Sequence, residues 1–168
     1  MLELYLPGFE ELWFRQKMLA DEETMSYNHA WGGTVAFERE DWQSWYDHWT
    51  GDTAGMRYYR YLKNEDGDFV GEIAYHYDGE LSSFMADVII YAPFRGRGYG
   101  RTGLEMLCGA AAENGITVLR DDMASDNPAL PMFLKCGFTE EYRTQEKIML
   151  VKDLRHHDAA SRPRTGQG

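Results

Sequence analysis

Apolar positions along this chain change period several times, and each change marks an element. Leu2, Leu4 and Leu6 alternate with Glu3 and Tyr5, the two-residue period of a strand, and Pro7-Gly8 ends it. Residues 9–21 are good helix formers, with Glu10 and Glu11 in the first turn where the helix dipole favours negative charge. Residues 23–37 keep no period, are broken by Gly32-Gly33, and read as a long loop carrying Tyr27, His29 and Trp31. A second helix is expected over 40–49, where Trp42, Trp45, Tyr46 and Trp49 recur at helical spacing. Such a stripe faces a core or, alternatively, walls a substrate site.

Residues 56–63 and 69–77 read as strands around the turn Asn64-Glu65-Asp66-Gly67-Asp68. Asp78-Gly79-Glu80 then leads into a third strand over 85–91, making a meander. Beyond Pro93 the period becomes helical over 98–114, with Leu104, Leu107, Cys108 and Ala111 on one face and Gly115 as the cap. A strand over 116–123 follows. Asn127 is expected to cap a short helix with Pro128 at its first position, ending at Gly137. Residues 138–143 and 146–152 form a last strand pair. The segment 155–168 reads as a polar, flexible tail behind a single domain over 1–154.

Composition narrows the partners. The net charge of −11 over 168 residues argues against nucleic acid, which selects a basic face. Within that acidic chain, Arg95, Arg97 and Arg101 cluster, which points to a small anionic ligand there. The acidic remainder either attracts a cationic partner such as an amine or simply maintains solubility. Cys108 and Cys136 have neither metal-binding nor redox-motif spacing, and His156-His157 lacks a third ligand, so no metal is expected. No apolar run approaches the ~18 residues of a membrane span, and the first residues lack the layout of a signal peptide. A cytoplasmic protein, monomer or homodimer and without a membrane partner, is the expectation.

The candidate chemistry centres on the stretch from Phe84 to Gly103. A strand runs into Gly96, Gly98 and Gly100, interleaved with arginines, and then into a helix. Glycines allow close approach of backbone to a ligand, and the first N–H groups of a helix lack intrahelical partners, so this order makes a phosphate cradle. Two patterns overlap on it. Gly98-x-Gly100-x-x-Gly103 fits a dinucleotide fingerprint, with Asp121 and Asp122 about 20 residues on, as that fingerprint requires. That reading implies a nicotinamide-dependent reductase, but only about 45 residues follow Asp122, too few for the further βα units of a doubly wound domain.

The other pattern, Arg95-x-x-Gly98-x-Gly100 after a strand, resembles the acyl-CoA pyrophosphate loop of the GNAT N-acetyltransferase superfamily. Asn127-Pro128-Ala129, Phe133 and Gly137-Phe138 resemble the same family's penultimate helix, and the order of elements over about 2–154 matches its fold. The resemblance implies an α/β (α+β) fold: a mixed, mostly antiparallel sheet of six to seven strands flanked by about four helices. It also implies direct acetyl transfer from acetyl-CoA to an amine; the acidic chain and the aromatic walls favour a small-molecule amine over a protein. In that scheme Ile89, Ile90 and Tyr91 meet the pantetheine arm. Arg95, Gly96, Arg97, Gly98, Tyr99, Gly100 and Arg101 cradle the pyrophosphate. Asn127 hydrogen-bonds the pantetheine and Phe133 packs beside it.

Direct transfer needs a base for the amine and an acid for the leaving thiolate. Many relatives carry a tyrosine acid at the position of Phe133, and phenylalanine cannot donate a proton. Tyr91, Tyr142 or solvent are the substitutes, and a non-catalytic acyl-CoA-binding module is the competing reading. For the base, Asp122 leads by its position at the end of a strand, with Glu72 and Asp87 as further candidates; strand alternation turns Asp121 to the opposite face. Tyr27, His29 and Trp31 are the candidate substrate contacts.

Overall fold

The computed structural model of the chain describes residues 1–156. Its strands are β1 (Glu3–Tyr5), β2 (Arg57–Lys63), β3 (Phe69–Asp78), β4 (Ser83–Ile90), β5 (Val118–Ala124), β6 (Thr139–Arg143) and β7 (Lys147–Asp153), in one seven-stranded sheet of order β1-β2-β3-β4-β5-β7-β6. The α-helices are α1 (Trp13–Ala20), α2 (Arg39–Thr50), α3 (Tyr99–Glu113) and α4 (Leu130–Lys135), with short 3₁₀ turns at Phe9–Leu12, Ser26–Trp31 and Ala92–Phe94. The expected mixed sheet and its order of elements are therefore present. The expected tail, and His157 with it, lie outside the described residues apart from Arg155 and His156. Among the described residues no helix is long and apolar enough to cross a membrane.

Strand alternation sorts side chains into two cores. Ile73, Tyr75, Leu119 and Leu150 pack with Leu104, Leu107 and Cys108 of α3 and Phe133 of α4. Tyr59, Tyr61, Ala74 and Ile89 point the other way and pack with Phe14 and Met18 of α1 and Trp42 of α2. The aromatic stripe of α2 belongs to this second core: Trp42 is buried in it, and Trp45, Tyr46 and Trp49, partly buried, pack against it.

One junction in the sheet matters for function. Every neighbouring pair is antiparallel except β4 and β5, which run parallel because α3 crosses between them. Their ladder has two rungs, Phe84↔Leu119 and Met85↔Arg120. Past Met85 and Arg120 the strands part, and the sheet opens into a gap.

Two local expectations are corrected. The first helix is split, because the Tyr61 hydroxyl sits between the Glu11 carbonyl and the Arg15 N–H. It donates to the former at 2.8 Å and accepts from the latter at 3.2 Å, displacing the helical bond they would share. Asn127 does not cap α4. A helix starting at Pro128 would need an N–H at position 131 for its first bond, and Pro131 has none. The helix instead starts at Leu130, with Phe133 N–H bonding to Ala129 O at 3.2 Å, and Asn127 Oδ1 accepts from Ala129 N–H at 2.8 Å in the preceding turn.

Candidate active site

The glycine turn forms where β4 leaves the sheet. Gly96 and Gly98 have φ of 79° and 80°, left-handed values that side chains resist. Gly98 stands at the N-cap of α3, and Thr102 N–H bonds back to its carbonyl at 3.1 Å. The N–H groups of Tyr99, Gly100 and Arg101 therefore have no acceptor within the helix. At Gly100 a Cβ would lie 2.8 Å from Met132 Sδ and 3.5 Å from Ile90 Cγ1, so glycine lets the helix start seat between β4 and α4.

The arginines divide their work. Arg95 donates to the carbonyls of Glu23 at 3.1 Å and Thr24 at 2.6 Å, while Ala92 N–H donates to Thr24 Oγ1 at 3.0 Å. Arg95 thus fastens the glycine turn to the loop that carries Tyr27 and Trp31. The Arg97 guanidinium lies 5.5 Å from the Phe94 ring centre, and Arg101 Nε is 3.1 Å from Glu105 Oε1.

A cleft of about 910 Å³ runs from this turn into the sheet gap. Six consecutive residues of β4, from Met85 to Ile90, line it, as do Asp121, Asp122 and Met123 of β5. Consecutive strand residues face opposite sides, so the cleft passes through the sheet between the parted strands. Tyr27, Asn28 and Trp31 form a wall on one side; Asn127, Met132 and Phe133 form one on the other.

Carboxylates gather at the gap. Asp87 is open to the cleft, yet enough protein surrounds it that desolvation is the largest influence on its proton. Together with the Glu72 charge, and against the opposing Arg15, this pushes its pKa up to about 6. Asp121 is partly buried, and burial, followed by the charges of Asp87 and Asp122, pushes its carboxyl well above the ordinary range. Asp122 Oδ2 lies 3.8 Å from Lys147 Nζ. Burial holds the Tyr27 phenol protonated, with the Asp87 charge adding to the effect, and burial lowers the pKa of His76 at the cleft wall.

Of the residues expected at a site, the cleft brings together Tyr27, Trp31, Asp87, Ile89, Ile90, Arg95, Gly96, Gly98, Tyr99, Gly100, Arg101, Asp122, Asn127 and Phe133. Glu72 is elsewhere. It is buried on the α1–α2 side of the sheet, with both oxygens accepting from Arg15 Nη1 at 2.6 and 2.7 Å and a further bond from the Tyr59 hydroxyl. His29 does not line the cleft; its Nε2 is 3.0 Å from Asp126 Oδ2. Tyr91 packs against Phe14 and Phe94, the exposed Tyr142 sits on β6, and neither lines the cleft, nor does Arg97. Among the lining residues missed were Asp121, His76 and Met132. Alternation does turn Asp121 away from Asp122, but a cleft that passes through the sheet is lined from both faces.

The chain matches the acetyltransferase (GNAT) family over residues 4–138. No curated protein matches it in sequence. Among solved structures it resembles the spermidine N-acetyltransferase of Vibrio cholerae in complex with CoA and spermine, at 17% identity and a TM-score of 0.76, covering 91% of this chain and 95% of that one. It also resembles a putative acetyltransferase of Salmonella typhimurium with its cofactor acetyl-CoA, at 18% identity and a TM-score of 0.70, covering 95% and 97%. A GNAT-family acetyltransferase of Bacillus anthracis follows at 16% identity and a TM-score of 0.72, covering 91% and 95%. The sheet that parts at β4 and β5, the glycine turn opening α3 and the match over 4–138 agree: the chain belongs to the GNAT acetyltransferase family.

Proposed function

We propose that this protein is an N-acetyltransferase that moves the acetyl group of acetyl-CoA directly to a small cationic amine. The observation that carries the reading is the continuity of the cleft, with a phosphate cradle at one end and carboxylates at the sheet gap. The residues present fit the donor. The N–H groups of Tyr99, Gly100 and Arg101 receive the pyrophosphate, Ile89 and Ile90 border the pantetheine arm, and Asn127 and Phe133 flank it. The thioester then lies at the gap, where backbone donors of β4 polarise its carbonyl.

The amine enters past Tyr27 and Trp31, held by the aromatic faces and by Asp122. Attack needs a neutral nitrogen. Asp87, poised near pH 6 and facing the α1–α2 side, is the proton acceptor this geometry favours, with Asp122 the other candidate. The enzyme is read as cytoplasmic, a monomer or homodimer, working without a metal ion.

Thermal unfolding with acetyl-CoA, NAD and NADP in parallel tests the donor. A ligand at 100 times its dissociation constant stabilises by about 2.7 kcal/mol, a shift of several degrees. Acetyl-CoA alone is expected to give it, and a shift with NAD or NADP alone would overturn the reading. Turnover with a panel of mono-, di- and polyamines then tests the chemistry. Binding of acetyl-CoA without turnover of any amine would leave an acyl-CoA-binding module, the reading that Phe133 in place of tyrosine favours.

A further inference from the structure

Phe133 leaves the thiolate without the proton donor that a hydroxyl there would supply, yet an alkyl thiolate released near neutral pH must take up a proton. Phe133 is buried, its ring centre 5.1 Å from that of Phe138, so this part of the cleft wall offers an aromatic face and no hydroxyl. Solvent or another group at the gap is then the source of that proton. Tyr91 and Tyr142 do not reach the cleft.

Asp121 does. It lies one residue past the last β4–β5 rung, where the strands begin to part, and it lines the cleft. It shares its strand face with Leu119 and Met123, both of which belong to the core that contains Phe133. Asp87 and Asp122 line the same cleft from the opposite face. The Asp121 carboxyl makes no hydrogen bond or ion pair among the described residues, whereas Asp122 has Lys147 of β7 beside it. The other titratable groups facing this part of the cleft are Tyr27 from the long loop and His76 and Asp78 from β3. Cationic lining residues, Arg95, Arg101 and Lys135, come from the glycine turn, α3 and α4.

We propose that Asp121 is the general acid of the transfer, its carboxyl proton passing to the thiolate sulfur while Asp87, across the gap, takes the proton of the amine. The assignment rests on the acetyl-transfer reading above. The amine nitrogen bonds to the thioester carbon and loses a proton to Asp87. The C–S bond breaks with its electron pair on sulfur, and sulfur takes the proton of Asp121, which becomes a carboxylate. Asp87 is then protonated and Asp121 is not; one proton passed between them, directly or through solvent, restores the starting state. No oxidant or further reactant is needed. Burial, followed by the charges of Asp87 and Asp122, pushes the Asp121 carboxyl well above the ordinary carboxylate range, the direction a proton donor needs.

Carbon-13 titration of the aspartate carboxyls in the full chain is the first test, since it needs neither substrate. One carboxyl is expected to remain protonated at pH 7 and to be missing from Asp121→Asn. Kinetics supply the second test. Wild-type kcat should fall at high pH as Asp121 ionises, and Asp121→Asn should lower kcat by about 10²–10⁴-fold and abolish that fall. If no aspartate of the wild type remains protonated at pH 7, if the one that does persists in Asp121→Asn, or if Asp121→Asn keeps the wild-type kcat and high-pH limb, the assignment is wrong. Should the variant fail to fold, the wild-type titration alone decides. Absence of wild-type turnover with every amine would remove the acetyl-transfer reading and this role with it, whereas turnover in both proteins alike would remove only this role.

Discussion

Arg15 of α1 and Glu72 of β3, 57 residues apart in sequence, form an ion pair beneath the sheet. Both carboxylate oxygens accept from one guanidinium nitrogen, at 2.6 and 2.7 Å, and the Tyr59 hydroxyl donates to one of them. Trp45 and Phe37 cover the guanidinium, at 4.5 and 5.1 Å from their ring centres. Glu72 is therefore committed to the core, not to a substrate. Its negative charge still reaches the cleft, since it helps raise the pKa of Asp87 while Arg15 opposes it.

Breaking that pair from one side should be costly. The side chains of Arg15 and Glu72 are 17% and 5% exposed, so Arg15→Met strands a carboxylate in a nearly dry site. A loss of about 3–5 kcal/mol in urea unfolding is expected. The double variant Arg15→Met, Glu72→Met should lose much less than the sum of the two singles, because no unpaired charge remains. Additive losses would show that the two groups do not act as a pair.

Gly98→Asp tests the cradle. The new carboxylate stands at the N-cap of α3, competing with phosphate for the free N–H groups, in a backbone conformation with φ of 80°. Aspartate tolerates that region better than most residues, so the fold should persist. Calorimetric titration should then show loss of acetyl-CoA binding in a protein with native circular dichroism. Wild-type affinity in the folded variant would place the pyrophosphate elsewhere.

How much of this was legible depended on distance along the chain. The glycine turn could be read because its strand, left-handed glycines and helix start are contiguous. The aromatic stripe of α2 could be read as core-facing because helical spacing carries that information. The neighbours of the carboxylates could not. Glu72 looked available because its partner lies on α1, and Asp121 looked averted because alternation is blind to a sheet that opens. That opening follows from a ladder of only two rungs at Phe84 and Met85, a tertiary property. Asn127 was misread locally: the missing N–H of Pro131, four residues on, decides where α4 begins.

Trp31 is an exposed part of the cleft wall, at 56% of its full accessible surface, where the acceptor is proposed to enter. Trp31→Ala should leave stability within about 0.5 kcal/mol of wild type, as for other surface changes. A cation resting on the indole face at an exposed site is worth about 0.5–1 kcal/mol, so KM for a cationic amine should rise roughly 2- to 5-fold with kcat little changed. Steady-state kinetics with a charged amine and a neutral one separates the cases. An equal change for both would make Trp31 a steric wall and not a cation contact.

Asp87 predicts a dependence of stability on pH whose sign is fixed by the direction of its shift. Its pKa is pushed from the ordinary 3.8 to about 6 in the folded chain, chiefly by desolvation. Between these values the folded state binds more protons at this site than the unfolded state, so stability falls as pH rises. The contribution is fully present below about pH 4 and lost above about pH 6. Asp87→Asn, which cannot ionise, avoids that loss. It should therefore melt higher than wild type at pH 7.5 and at nearly the same temperature at pH 3.5, with the difference growing between. In the same variant turnover should fall, because asparagine cannot accept the amine proton. Greater stability with lower activity is the expected pair of outcomes. A variant that is no more stable at pH 7.5 would mean that water relieves the desolvation of Asp87. A variant with wild-type kcat would move the base to Asp122.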